Sequence, residues 1–343
     1  MPKLDIKTHG KINAATLYEQ YTNNWLKRED SKGKTLINSE KKLLFTRELA
    51  REMFAKNELS IHFNDLPKVV KKYFNITESD SIDYFSHDIQ TCSFLHTEGN
   101  GNFKFIHKSF MEYFVAFQIL FELFEVRSAT IKKKVQEINR LLGECLITLE
   151  IGLFIKDILE SGKFIGSDFI LIDIDVFNKL NQISQKNIIS IICKLDFKNA
   201  TSKSIFDYIN RINDYEGVDL SNIFLEEIIL EDKCFDSACF FKANLINVKF
   251  KKCSFLNTNF KKAELKSIYA ENIMFEYSDF SKSKIEYCSF RGSNFAYCNF
   301  NNSQIKITDF DSAELTEISY NKDTELVDCK NIYTTIGTPY LFG

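Results

Sequence analysis

One position in every five is bulky and apolar across a hundred residues of this chain. From Leu220 to Tyr320 the multiples of five run Leu220, Leu225, Leu230, Phe235, Phe240, Leu245, Phe250, Phe255, Phe260 and Leu265, then Phe275 to Leu315 and Tyr320, and only Ala270 lacks bulk. Two residues before each lies a smaller series, such as Ala238, Ala243, Val248, Cys253, Thr258, Ala263, Ser278 and Ser283, in which Lys233 is out of place. A helix repeats near 3.6 residues and a strand at two, so a period of five excludes an amphipathic helix and a sandwich. A beat that divides a turn is the mark of a solenoid.

Ala243-Asn244-Leu245, Ser293-Asn294-Phe295 and Ala313-Glu314-Leu315 show a small residue, then mostly Asn, then Leu or Phe. The stretch resembles the pentapeptide-repeat family. The resemblance implies a right-handed quadrilateral β-helix with four pentapeptides per coil, over residues 218–325, closed by a C-terminal cap or tail over 326–343. Ala270 is expected between Phe250 and Phe290, with Tyr269 filling part of the gap.

If twenty residues make a coil, residues twenty apart stack at about 4.8 Å. The column Glu231, Lys251, Glu271, Arg291, Asp311 then alternates in sign at every step, as does Lys266, Glu286, Lys306. Opposite charges stacked directly are mildly stabilising and like charges are not, so both columns support the twenty-residue turn. One column breaks the rule: Lys242, Lys262 and Lys282 stack on one another, with Asn222 and Asn302 beyond and Lys322 next in the series. These three lysines are candidate partner-binding residues for an anionic ligand, a nucleic-acid backbone or an acidic protein face. The bland alternative is a solvated ridge that keeps the rod soluble.

Upstream, the chain reads as helical. Ala15 to Arg28 predicts a helix with Leu17, Tyr21 and Trp25 on one face, and Asn38 or Ser39 caps a second helix running to about Lys56. A third is predicted from Asn64 and a short fourth near Ser79 to Ser86. Cys92 to Leu95 and Phe103 to Ile106 predict two strands around a turn-rich loop, followed by a buried helix from Phe110 to Phe124. The expected fold class is thus α+β, with a winged-helix hairpin in the N-terminal half.

The run Phe105-Ile106-His107-Lys108-Ser109-Phe110-Met111-Glu112-Tyr113-Phe114, with Leu17-Tyr18-Glu19, Trp25 to Glu29 and Glu48-Leu49-Ala50, resembles the winged-helix module of NACHT-type (STAND) signalling ATPases. The likeness covers about residues 12 to 125, so 1–125 is expected to be that module and 126–217 the helical arm that follows it. Within that arm Ile131, Val135, Ile138 and Leu142 form one stripe, and Phe164 to Phe177 is expected to be locally extended. By the resemblance, His107 contacts the phosphate of bound ADP when an ATPase core is present. That core lies upstream in the family, and this chain has no room for it. Gly33-Lys34-Thr35 has the residue types that end a phosphate loop, but Arg28 stands where that loop has its first glycine.

No nucleophile elbow or metal-ligand spacing occurs, and the five His are scattered. The chain is therefore expected not to be an enzyme, with no cofactor or metal of its own and ADP or ATP only alongside a core. Nine Cys without a C-x-x-C, and no apolar leader, predict a reduced, cytoplasmic protein that does not span a membrane. Fifteen acidic and twelve basic residues between Val218 and Tyr320 are too balanced for a mimic of duplex DNA. The expected function is a regulatory or sensor module of a NACHT-type ATPase, in bacterial stress or anti-phage defence, whose β-helix binds a partner. The alternative is a stand-alone repeat protein that binds a topoisomerase or another DNA-associated protein.

Overall fold

The computed structural model describes residues 13–31, 38–69, 94–98, 100–164, 172–194 and 212–330. Its contacts divide the chain into two units, between Ser184 and Gln185. The Gly33-Lys34-Thr35 stretch, the predicted helix near Ser79 to Ser86 and residues 331–343 of the predicted cap lie outside the described residues.

The first unit is helical around one short sheet. Helix α1 spans Ala14–Ser31 and α2 spans Ser39–Ala55. Asn38 caps α2 by accepting from the Lys41 amide at 2.9 Å, and Asn57 follows its end at φ 54°, in the left-handed region where Asn is tolerated. Strand β1 (Ile61–His62) pairs antiparallel with β3 (Asn102–Phe105), which pairs in turn with β2 (Leu95–Thr97). Helix α3 (Lys108–Val126) is buried nearly all round and packs on α2 and on α5 (Leu149–Glu160), with α4 (Ile131–Leu142) between them in sequence.

The buried face of α1 differs from the expected one. Trp25 is fully buried, but Leu17 and Tyr21 are exposed, and the inner stripe is Ala15, Tyr18, Thr22 and Trp25. Tyr18 explains the rotation: its ring meets Phe110, Tyr113 and Phe154 at 4.7, 5.5 and 5.1 Å, so an aromatic cluster on two other helices fixes the contact line. Of the stretch expected to be extended, residues 165–171 lie outside the described residues, and Ile174–Phe177 at its end forms a turn of helix, α6, which precedes α7 (Gln182–Lys194).

The second unit is the solenoid. Its named strands are β4 (Phe224–Glu226), β5 (Ile229–Glu231), β6 (Asn244–Ile246), β7 (Lys249–Lys251), β8 (Glu264–Lys266), β9 (Lys284–Glu286), β10 (Gln304–Lys306) and β11 (Glu325–Val327). All pair in parallel, and from β4 to β10 the step is twenty residues: Leu225 on Leu245, Leu265, Ile285 and Ile305, and Leu230 on Phe250. Isolated bridges carry the same step on the other sides, as in Cys234 on Ser254, Met274, Asn294 and Glu314. The multiples of five from Leu220 to Leu315 point inward and are buried, while Tyr320 at the last coil is half-buried.

Three local devices make each side. Phe235, Phe255, Phe275 and Phe295 stack at 4.8–5.1 Å with interplanar angles of 7–12°, a direct consequence of the coil spacing. Three polar members of the small series face inward by donating to a carbonyl of the coil before: Thr258 to Phe235 at 2.8 Å, Ser278 to Phe255 at 2.6 Å and Ser293 to Ala270 at 2.6 Å. Ser303 donates within its own coil to Phe300 at 2.8 Å, and the buried Ser283 hydroxyl has no partner among the described residues. The Asn or Asp before a core residue accepts from the amide two residues on, as Asn259 does from Lys261 at 3.0 Å and Asp279 from Ser281 at 2.8 Å, which tightens the chain toward the next corner.

Lys233 occupies a small inward slot because its ammonium reaches the rim, donating at 2.8 Å to both the Ile212 carbonyl and the Asn213 side chain. Tyr269 does not fill the space beside Ala270, since it is 52% exposed. The bulk comes instead from Ile268 and Ile273, both buried in the small series of that coil. Lys322 also leaves its expected column. The step from β10 to β11 is twenty-one residues, Gln304 on Glu325, so Asp323 precedes Glu325 as Asn302 precedes Gln304.

Candidate functional site

Each coil turns its corners on a residue in the left-handed region, two positions after each multiple of five. Asn222, Lys242, Lys262, Lys282 and Asn302 hold one corner of five successive coils at φ 57–61°. The backbone of this corner is pinned from coil to coil: the amides of Lys242, Lys262 and Lys282 donate to the carbonyls of Lys261, Ser281 and Asn301 at 3.0–3.1 Å. The three expected partner-binding lysines are thus brought together on one rigid edge, and all three are exposed.

The alternating columns form part of the contacts their signs predict, and among the described residues Glu231 pairs with Lys252 of a neighbouring column and not with Lys251. Arg291 pairs with Asp311 at 2.8 Å, Lys252 with Glu231 at 3.4 Å, and Lys284 with Glu264 at 3.2 Å, while Lys266 lies in register with Glu286 and Glu286 with Lys306. Among the described residues no carboxylate pairs with Lys242, Lys262 or Lys282. What adjoins them is Phe241, half-buried on the face beside the corner. The Lys242 and Lys262 ammonium groups lie 5.4 and 5.6 Å from its ring centroid, within cation–π range. The ring's negative face draws the two like charges together and offsets part of their repulsion. Phe241 escapes a reading of the sequence because it falls at a variable position of the repeat; the signal was an aromatic next to the first stacked lysine.

His107 is the N-cap of α3. Its Nδ1 accepts from the Ser109 amide at 3.2 Å and lies 2.5 Å from the Ser109 hydroxyl, which also bonds the Tyr18 hydroxyl. The imidazole is exposed, so the cap is a local structural role with a free outer side. The buried thiols of the solenoid are poor nucleophiles: burial pushes Cys253 up to about 11, and Cys288 and Cys298 up to about 12. Among the described residues no group of three or more His, Cys, Asp and Glu is placed to hold a metal, and no described helix is long and apolar enough to cross a membrane.

A stacked, twenty-residue parallel coil with an inward apolar residue at every fifth position defines a β-solenoid, and a family model described as pentapeptide repeats matches eight copies within residues 238–269 and 275–311. The chain therefore carries a pentapeptide-repeat domain. An uncharacterized WD repeat-containing protein of Nostoc sp. is 24% identical over 121 residues, which is 35% of this chain and 8% of that protein's length. Among solved structures, QnrB1, a plasmid-mediated fluoroquinolone resistance protein, is 16% identical with a TM-score of 0.26, covering 34% of this chain and 56% of that one. A pentapeptide repeat protein from the Arabidopsis thaliana thylakoid lumen is 19% identical (TM-score 0.22; 34% and 73% covered). HetL of Nostoc sp., a pentapeptide repeat protein involved in heterocyst differentiation regulation, is 12% identical (TM-score 0.19; 34% and 65% covered). None of these descriptions names a NACHT-type ATPase, so the resemblance of residues 12 to 125 has no support from them.

Proposed function

We propose that this chain is a non-catalytic interaction scaffold whose β-helix holds a rigid surface for a macromolecular partner, with Lys242, Lys262 and Lys282 at the contact. The observation that carries this reading is the unpaired lysine corner. Between Val218 and Tyr320 every other column with charges on successive coils alternates in sign, and this one is uniformly positive for three coils. A photo-crosslinking residue placed at Asn301, on the lysine side, should trap a partner from an extract of the source organism, and one at Ser254, on another side, should not. Equal trapping at both positions, or none, would remove the lysine corner as the contact.

A second reading places the chain as the sensor part of a NACHT-type signalling ATPase. It is supported by the three-stranded antiparallel sheet leading into α3, with His107 at the helix start and its outer side exposed. Here His107 would touch the ADP phosphate supplied by a core in the same or another chain. Calorimetry should show no ADP binding to this chain alone, and in an assembly with a core His107→Ala should loosen ADP. Unchanged ADP retention rejects that role. The scaffold reading serves equally a stand-alone repeat protein that engages a DNA-associated protein such as a topoisomerase.

A further inference from the structure

We infer that the lysine corner receives a short acidic segment of a protein, not a nucleic acid. The inference rests on the scaffold reading above and adds the chemistry of the partner. The ridge is short: two coil steps separate Lys242 from Lys282, about 10 Å at the spacing of neighbouring strands. It ends in neutral Asn222 at one side and Asn302 at the other. Past Asn302 the twenty-one-residue step brings Asp323 into the place a continued column would give to Lys322. A polyanion running along the rod past Asn302 would leave three cations and meet acid at Asp323, whereas a cluster of three or four carboxylates would be covered fully. Three ammonium groups also fall well short of the roughly six to ten phosphate contacts through which proteins hold DNA.

The apolar surroundings point the same way. Bases bind single-strand sites by stacking on open aromatic faces. Phe241 already has the Lys242 and Lys262 ammonium groups on its ring, so it is not an open platform. Its remaining edge, with the 47% exposed Phe224 on the other side of the corner, suits an aliphatic side chain flanked by carboxylates. That combination, an aromatic anchor beside charges, is the composition of a protein contact.

The test uses the full chain and fluorescence anisotropy with four probes: a helical peptide of about fifteen residues bearing four Glu on one face beside a Leu, its Gln counterpart, a single-stranded oligothymidine and a DNA duplex. The acidic peptide should bind, more weakly as salt rises from about 50 to about 200 mM, and the Gln peptide should not. The triple change Lys242→Gln, Lys262→Gln, Lys282→Gln should weaken the acidic peptide about tenfold or more. The equal charge change Lys249→Gln, Lys251→Gln, Lys252→Gln should leave it within about twofold, because only local charge counts. Circular dichroism verifies that both variants stay folded. If oligothymidine or duplex binds as tightly as the peptide through the same lysines, the inference about the partner fails while the lysine contact stands. If the peptide fails to bind below about 1 mM, or binds the triple variant unchanged, the lysine corner is no acidic-segment site and the inference is overturned.

Discussion

Ala270 is the one multiple of five without bulk, and its neighbours show what the core requires there. The flanking small-series positions are Val248 and Cys253 in the coil before and Cys288 and Ser293 in the coil after, but Ile268 and Ile273 in its own. Ala270 has no exposed surface and neither isoleucine exceeds 2%. The volume has been moved sideways. Replacing Ala270 with the Phe that the pattern calls for should therefore overpack the coil and destabilise the protein by about 1–3 kcal/mol. Phe275, stacked between Phe255 and Phe295, makes the contrast, and Phe275→Ala should cost about 3–5 kcal/mol. Equilibrium urea unfolding reads both. A higher midpoint for Ala270→Phe would show a real cavity and defeat the compensation, and a loss below about 0.5 kcal/mol for Phe275→Ala would put that ring outside the core.

At the scale of the coil, what the sequence revealed follows from what burial dictates. Inward positions are filled mainly by apolar or small residues, so the five-residue beat and the twenty-residue stacking can be read from residue types, as can the lysine column. A corner dictates a backbone angle and leaves the side chain in water. Lys242, Tyr277, Glu317 and even the β-branched Ile307 at φ 50° all occupy it, so no residue pattern announces it. The twenty-one-residue step was hidden for a related reason: it falls where the last inward residues, Ile318 and Tyr320, are only half-buried and the pattern loosens. In the helical unit, the line of contact on α1 was set by aromatic partners on α3 and α5, which a local periodicity does not contain. The extra residue of the last coil is accommodated by a substitution of donors and acceptors. Where Lys262 and Lys282 donate to backbone carbonyls, the Asn302 amide donates at 3.1 Å to the Asn321 side chain. Asn321→Ala orphans that amide and should cost about 1 kcal/mol, while Asn321→Asp, which keeps the acceptor, should cost little. Equal losses in the two variants would mean that the side-chain bond is dispensable.

The solenoid as a whole has unlike ends. At the start, Lys186 on α7 donates to the Asp214 carboxylate and the Glu216 carbonyl, both at 3.1 Å, and Tyr215 is fully buried on the Phe235 ring at 4.8 Å. At the other end a cavity of about 340 Å³ opens among Phe300, Ile305, Phe310, Leu315 and Leu326, so these side chains are packed less fully than those of the inner coils. Each coil of a solenoid is held mainly by its neighbours, and opening proceeds from the weaker end. Hydrogen exchange of the intact chain should therefore free the amides of β10 and β11 first, then those of β9, with the coils of β4 to β6 among the last of the rod. The bonds compared have the same geometry throughout, parallel and near 2.9 Å, such as Gln304 to Ser283 and Glu264 to Ala243. A gradient along the rod thus reports end stability and not bond quality. Uniform exchange over all coils would show a single cooperative unit, and protection rising toward β11 would show that the C-terminal end is the better held of the two.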